Sequence, residues 1–307
     1  MWIPYFLFEF WEPETDSKSI TASQSDNQER EFFVYFYLEN PPARVRSVEL
    51  LLTQKVQKLQ TDGTGRQASL RFEPNDKNEL DRVGFKIRDV HPKLAFTYCY
   101  DQLSQLLSFW TVVAGSGFSI FGVKVLDEKN KARWKVVPQR AAPEPFEMPS
   151  GISVGDAHSA VLSLYREARN TQSPYYRFLC CYKILEALYR SRSLFGFVDH
   201  LVKEKGLPFT RPRRTITEEM LVTSLVFESR PEFKNKNFRE FFGLLNPWRI
   251  KVAHAVTDSG QFINFDKYGS QVDIGPIANL VDLVARQILL DEMDMWRQLN
   301  DARVIQS

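Results

Sequence analysis

A proline-rich segment near the middle of the chain separates two halves whose apolar residues repeat with different periods. Residues 138–150, PQRAAPEPFEMPS, contain four prolines, and proline restricts both itself and its predecessor, which favours an extended linker. Apolar side chains before the segment form short β-prone runs, whereas those after it recur at helical spacing. A chain of 307 residues is long enough for two domains. We therefore predict an α+β protein with a β-rich domain over 1–140, a linker over 141–151 and a helical domain over 152–307.

The first half predicts a sheet that carries about one helix. Aromatic and β-branched runs separated by turn-like segments are typical of strands. The first two runs are separated by a polar stretch rich in Ser, Gln and Asp. A helical period over residues 97–113 predicts the one helix. The predicted strands are 5–10, 31–38, 47–53, 68–72, 83–87, 119–126 and 133–137.

The second half predicts a bundle of helices. Apolar residues there follow the i, i+3, i+4 rule, and Ser153, Ser173-Pro174 and Thr215 provide start signals. A short hairpin is predicted around Lys267-Tyr268-Gly269, over residues 262–272. The predicted helices are 154–168, 174–190, 217–227, 232–245 and 275–300.

Composition narrows the possible functions. With 40 Lys+Arg against 38 Asp+Glu the net charge is +2, too balanced for a chain that simply coats nucleic acid. Three cysteines, two of them adjacent, are typical of a reducing compartment rather than a disulfide framework. The sequence shows no leader peptide and no apolar run of ~20 residues, so we expect a cytoplasmic protein without membrane contact. No nucleotide-binding or metal-ligand spacing occurs, so neither cofactor nor metal is predicted.

The candidate catalytic residues and the first candidates for binding are concentrated in one segment, NPWRIKVAHA, which starts at Asn246. Asn246 and Pro247 are favoured residues for a helix cap and for the first helical position. Arg249 and Lys251 then follow in the first turn, where free N–H groups attract anions. Cations at this end oppose the helix dipole unless a phosphate or carboxylate is bound between them. The segment therefore predicts an anion site.

The spacing Arg249-x4-His254 within a helical half resembles the R-x4–6-H motif of HEPN domains. HEPN domains are helical bundles found in toxin–antitoxin, anti-phage and CRISPR ribonucleases. The resemblance implies an all-α HEPN-like bundle in which Arg249 and His254 are catalytic, in a metal-independent endoribonuclease of defence or toxin type. A β-rich half joined to such a bundle also resembles ApeA-like proteins and MauJ-type methylamine-utilisation proteins.

The chemistry of the two side chains fits this expectation only in part. Histidine can act as acid or base near neutral pH, and arginine binds phosphate. The two residues are about 140° and ~7.5 Å apart on a helix, so a composite site in a homodimer through the helical domain is expected. Active HEPN nucleases usually have a polar residue after the arginine, where this chain has Ile250. The alternative function is a non-catalytic HEPN scaffold or accessory protein of the MauJ type. A purely structural interpretation of the motif is also open, in which Arg249 pairs with a carboxylate such as Glu186 and His254 is a hydrogen-bonded packing residue. Whether the protein is an enzyme stays open.

A basic, Phe-containing segment over residues 190–214 is the second candidate for binding. Its charge and aromatic side chains could hold single-stranded RNA, or the segment could be a solvated loop. An antitoxin or another protein is a further possible partner. The predicted substrate-binding residues are Asn246, Lys251, Arg190, Arg192, Arg211, Arg213 and Arg214.

Overall fold

The computed structural model of the chain has two compact units. It describes residues 8, 10–40, 48–51, 56–59, 68–77, 79–115, 117–137, 156–189, 213–226, 230–254 and 264–306. One unit comprises residues 6–140 with 265–268, and the other comprises 141–264 and 269–307 with 1–5. The first contains an antiparallel sheet and the second is helical, which confirms the α+β class. The predicted linker, 141–151, lies outside the described residues.

The N-terminal unit is built on one eight-stranded sheet. The strands are β1 (Phe10–Pro13), β2 (Arg30–Glu39), β3 (Val48–Leu51), β4 (Val56–Leu59), β5 (Ala68–Pro74), β6 (Glu79–Asp89), β7 (Ser119–Asp127) and β8 (Ala132–Val137). Their order in the sheet is β1-β8-β7-β2-β6-β5-β4, with β3 paired to β6, and every described pairing is antiparallel. The predicted runs overlap these strands, but the first, 5–10, shares only Phe10 with β1, and β4 was not predicted.

Strand β2 lies at the centre of the sheet and shows why the alternating pattern predicts it well. Phe32, Val34 and Phe36 are fully buried on one face, because successive side chains of a strand point to opposite faces. The residues between them, Phe33 and Tyr35, are half-buried on the other face. The sheet thus has one covered face and one partly open face.

Helix α2 (Pro92–Ala114) covers the buried face and begins five residues before the predicted start. The early start has a local cause, because the His91 ring accepts a hydrogen bond from the backbone N–H of Lys93 at 3.2 Å and Pro92 follows the cap. The helix ends at Gly115 in the left-handed region, φ 64°. The ring of Phe96 stacks on Phe36 with centroids 6.2 Å apart, which anchors α2 on β2.

The polar stretch between the first two strands forms helix α1 (Ser17–Ser25), which the sequence analysis did not predict. Asp16 caps it by accepting a hydrogen bond from the backbone N–H of Ser19 at 3.0 Å. The stretch has few apolar residues, and only Ile20 and Ser23 are buried. Its place is therefore set by polar contacts.

Those polar contacts centre on Arg30, which is 4% exposed. Its Nε donates to Asp127 at 2.7 Å, and its Nη2 donates to the carbonyl oxygen of Ser23 at 2.6 Å. The Ser23 hydroxyl also donates to Asp127, so α1, β2 and β7 meet at one buried ion pair. The guanidinium also donates from Nη2 to the Ser23 hydroxyl at 3.2 Å and from Nη1 to the backbone carbonyls of Asp26, Gln28 and Val90.

The second unit is helical, as predicted, with shorter pieces in its middle. Its helices are α3 (Asp156–Asn170), α4 (Pro174–Tyr189), α5 (Glu218–Thr223), a 3₁₀ turn (Pro231–Phe233), α6 (Phe238–Leu244), α7 (Asn246–His254) and α8 (Tyr268–Gln306). The helix predicted over 217–227 is shorter because Thr217, not Thr215, caps it and because Leu225 adopts a left-handed φ of 65°. The helix predicted over 232–245 is divided into the 3₁₀ turn and α6.

The hairpin predicted over 262–272 is wrong, because Tyr268 begins α8. The backbone N–H of Tyr268 donates to the Asp101 carboxylate at 2.6 Å. Its ring lies 5.2 Å from the ring of Phe96 and 5.4 Å from that of Tyr100. These contacts explain why residues 265–268 belong to the N-terminal unit.

Helix α6 starts with a capping box that we expect to contribute measurably to stability. The Asn237 side chain accepts from the backbone N–H of Glu240 at 2.9 Å, and the Glu240 carboxylate accepts from the N–H of Asn237 at 3.2 Å. Replacement Asn237→Ala should lower the free energy of unfolding by about 1 kcal/mol in urea denaturation. Asn237→Asp keeps an acceptor and should match the parent protein. Equal denaturation midpoints for the alanine variant and the parent would contradict this role.

Candidate functional site

Helix α7 contains the segment that the sequence analysis singled out, and it follows α6 with only Leu245 between them. Leu245 is fully buried, and its carbonyl accepts from the backbone N–H of Arg249 at 2.9 Å. Asn246 is therefore the first residue of α7 and not the cap before it. The predicted new helix start is real, but it is a break of one residue in a nearly continuous pair of helices.

The two predicted catalytic residues are both on α7. Arg249 is half-buried and forms no ion pair within the described residues, so the alternative pairing with Glu186 is not formed. His254 is the last residue of α7, and its side chain lies outside the described part of the structure. The proposed Arg249–His254 pair therefore stays a prediction.

A pocket lies beside Trp248 on α7. Lys251, one turn further along the same face, places its Nζ 5.4 Å from the centre of the indole ring. Arg230, just before the 3₁₀ turn, places its guanidinium carbon 5.2 Å from the same ring. The pocket has a volume of about 360 Å³ and is also lined by Glu232, Phe233, Leu244 and Pro247. Two cations thus share one aromatic ring at the edge of an apolar hollow.

The structure describes two of the five arginines predicted to bind substrate in the basic segment, Arg213 and Arg214. Arg214 forms a two-pronged ion pair with Asp291, with Nε–Oδ2 2.9 Å and Nη2–Oδ1 2.7 Å. This hydrogen bonding raises the pKa of Arg214 above its usual value and compensates its charge. Arg213 is exposed. Arg190, Arg192 and Arg211 lie outside the described residues.

The helical unit contains a buried ion cluster that was not predicted from the sequence. Asp282 on α8 is fully buried, and its Oδ2 accepts from Arg169 at the end of α3 at 2.6 Å. Arg177 on α4 is 3.8 Å from the same oxygen. Burial, reinforced by the negative charge of Asp282, raises the pKa values of Tyr165 and of Cys181. An aspartate inside the apolar stripe of a helix, as in the residues 280–285, LVDLVA, is the sequence signal that indicates such a cluster.

The described residues show neither a metal centre nor a membrane span. No three His, Cys, Asp or Glu side chains in the described ranges are grouped to hold a metal ion. Among the described helices, none is both long enough and apolar enough to cross a membrane. A second hollow, of about 190 Å³, lies on the open face of the sheet beside Tyr35, Gly84 and Arg71.

Comparison with known proteins identifies the class and then the family. The chain is a two-unit α+β protein with an antiparallel sheet followed by helices, and each half matches a separate family model. Residues 5–136 match the N-terminal domain of the methylamine utilization protein MauJ, and residues 161–290 match the methylamine utilization protein MauJ. Because these two models of one family together cover most of the chain, the protein belongs to the MauJ family. None of the solved structures matches it.

The similarity to curated relatives extends over almost the full length. The methylamine utilization protein MauJ of Methylorubrum extorquens is 26% identical over 95% of this chain and 96% of its own. The protein of the same name from Paracoccus versutus is 26% identical over 95% and 94% of the two chains. The methylamine utilization protein MauJ of Paracoccus denitrificans is 24% identical over 95% of this chain and 96% of its own. The predicted MauJ-type resemblance is thereby confirmed.

The predicted ribonuclease, toxin and anti-phage defence functions are wrong. Both family models and all three of these relatives have the name of a methylamine utilization protein. The spacing Arg249-x4-His254 misled because two such residues five positions apart occur often by chance. Ile250 stands where active HEPN nucleases usually have a polar residue, and it is apolar and 36% exposed. This departure from the motif was the better indication of the protein's function.

Proposed function

We propose that the protein is an accessory factor in methylamine utilisation that acts by binding a protein partner. The observation that carries this proposal is the similarity of both units to proteins named for methylamine utilisation, over 95% of the chain. A single catalytic or binding motif would connect only one unit with a function. Similarity across both units favours a shared role for the whole chain.

The surface around the Trp248 pocket supports binding of a protein. Leu244 and Ile250 are 41% and 36% exposed, and they are on α6 and α7 close in sequence to Trp248. Exposed apolar side chains beside an aromatic ring and cations are typical of protein interfaces, where Trp and Arg often dominate the binding energy. We also propose, as parts of the same role, a helical bundle of the HEPN type without nuclease activity, a homodimer through the helical unit and a cytoplasmic location.

Growth on methylamine tests the accessory role. Deletion of the gene in a host that uses methylamine should slow growth on methylamine and leave growth on succinate unchanged. The purified protein by itself should not oxidise methylamine, because the role proposed is assistance to another protein. Expression of the intact gene from a plasmid should restore growth.

Two results would contradict this proposal. One is equal growth of the deletion strain and the parent on methylamine. The other is oxidation of methylamine by the purified protein, which would make it the enzyme rather than its helper.

A further inference from the structure

Arg230 and Lys251 have no carboxylate partner in the described part of the chain. Both place their charge over the ring of Trp248, and neither takes part in a salt bridge or a side-chain hydrogen bond among the described residues. Glu232 lines the same pocket and forms no salt bridge with either cation in that part of the chain. Some other cations of the unit do have a counter-charge, as Lys234 has in Glu218 at 2.5 Å. The pocket therefore has an excess of positive charge.

The indole ring offsets this charge only in part. A cation above an aromatic ring at an exposed site gains little compared with a charge-assisted hydrogen bond to a carboxylate. Both cations lie within 5.4 Å of the centre of the same ring, so they repel each other. An anion bound between them relieves the repulsion and gains two charge-assisted contacts.

The rest of the pocket indicates what accompanies the anion. Phe233 is 3% exposed and forms part of an apolar lining with Leu244 and Pro247. A bare inorganic anion would leave this apolar surface in contact with water, whereas a ligand with an apolar group beside its charge would cover it. The hollow of about 360 Å³ is large enough for a side chain and its neighbour.

We propose that the Trp248 pocket binds an acidic segment of a protein partner. A carboxylate of the segment lies between Arg230 and Lys251, and an adjoining apolar side chain packs on Phe233, Leu244 and Pro247. The inference rests on the proposed accessory role, because it names the chemistry by which the protein selects its partner. Growth on methylamine tests the role, and peptide binding in vitro tests the pocket, so the two failures are distinguishable.

Fluorescence anisotropy with a labelled peptide of alternating Glu and Leu tests the pocket. The full-length protein should bind this peptide, with an affinity that falls as salt is added. Arg230→Gln and Lys251→Gln should each weaken binding about tenfold, the effect of losing one charge-assisted contact. Lys183→Gln removes an exposed positive charge from α4, outside the pocket lining, and should leave the affinity unchanged.

Three outcomes would overturn the proposal. The first is equal binding of the corresponding peptide of alternating Gln and Leu. The second is parental affinity in both pocket variants, provided that circular dichroism shows them folded. The third is displacement of the labelled peptide by inorganic phosphate as readily as by unlabelled peptide, which would assign the pocket to a small anion.

Discussion

Replacement Asp282→Ala is expected to lower the free energy of unfolding of the protein by about 3–5 kcal/mol. Asp282 is the carboxylate that the buried Arg177 and the partly buried Arg169 share. Removing it leaves two positive charges against each other in the core, with the desolvation cost of Arg177 uncompensated. It also removes the link between the end of α3, the start of α4 and the middle of α8.

Urea denaturation followed by circular dichroism measures this loss. Asp273→Ala is the matched control, because Asp273 is an exposed aspartate on the same helix and should change stability by less than about 0.5 kcal/mol. Asp282→Asn, which keeps the shape but removes the charge, should also be strongly destabilised. A denaturation midpoint for Asp282→Ala equal to that of Asp273→Ala would show that the cluster contributes nothing to stability.

Replacement Asp127→Ala should cost a similar amount, about 3–5 kcal/mol, in the N-terminal unit. The Asp127 side chain is fully buried and that of Arg30 is 3% exposed, so loss of the carboxylate leaves the buried guanidinium with only the more distant Asp26, at 3.9 Å, as a counter-charge. Ser23 and Asn130 also lose the carboxylate to which they donate. Glu128→Ala is the control, because Glu128 is the next residue and is half-exposed.

The contribution of the Asp127 carboxylate to the free energy of unfolding should depend on pH in a predictable direction. Burial alone raises the pKa of Asp127, but hydrogen bonds from Ser23, Asn130 and Arg30 outweigh it and hold the pKa below its ordinary value. The ionised form is therefore favoured in the folded state. The stabilisation by ionised Asp127 is complete above the unfolded-state pKa of about 3.9. It is lost as the pH falls through the lower pKa of the folded state.

The difference in stability between the parent and Asp127→Asn should therefore be largest above about pH 5 and should shrink below about pH 4. A stability difference between the two proteins that stays constant from pH 6 to pH 3 would show that the charge of Asp127 does not contribute to stability. The double variant Arg30→Met with Asp127→Leu should lose less stability than the two single variants added together, because neither charge is then left alone. Additive losses would show that the two residues act separately.

The candidate site was predictable from the sequence only in part. The segment beginning at Asn246 predicted an anion site, and Lys251 does line a pocket with excess positive charge. No sequence pattern connects Lys251 with Arg230, which lies outside that segment. Only the return of the chain through the 3₁₀ turn and α6 brings the guanidinium over Trp248. The spacing motif instead suggested a pair of Arg249 with His254, whose side chain lies outside the described part of the structure.

The sequence by itself determined the α+β class and most of the strands and helices, because the spacing of apolar residues decides which backbone geometry can bury them on one face. Strand β2 and helix α4 follow their patterns almost to the residue. Helix α1 and the ion pairs Arg30–Asp127 and Arg169–Asp282 were decided only by the tertiary structure. A buried charge is stable only beside its counter-charge, and these partners are about a hundred residues apart, a distance over which no local pattern extends.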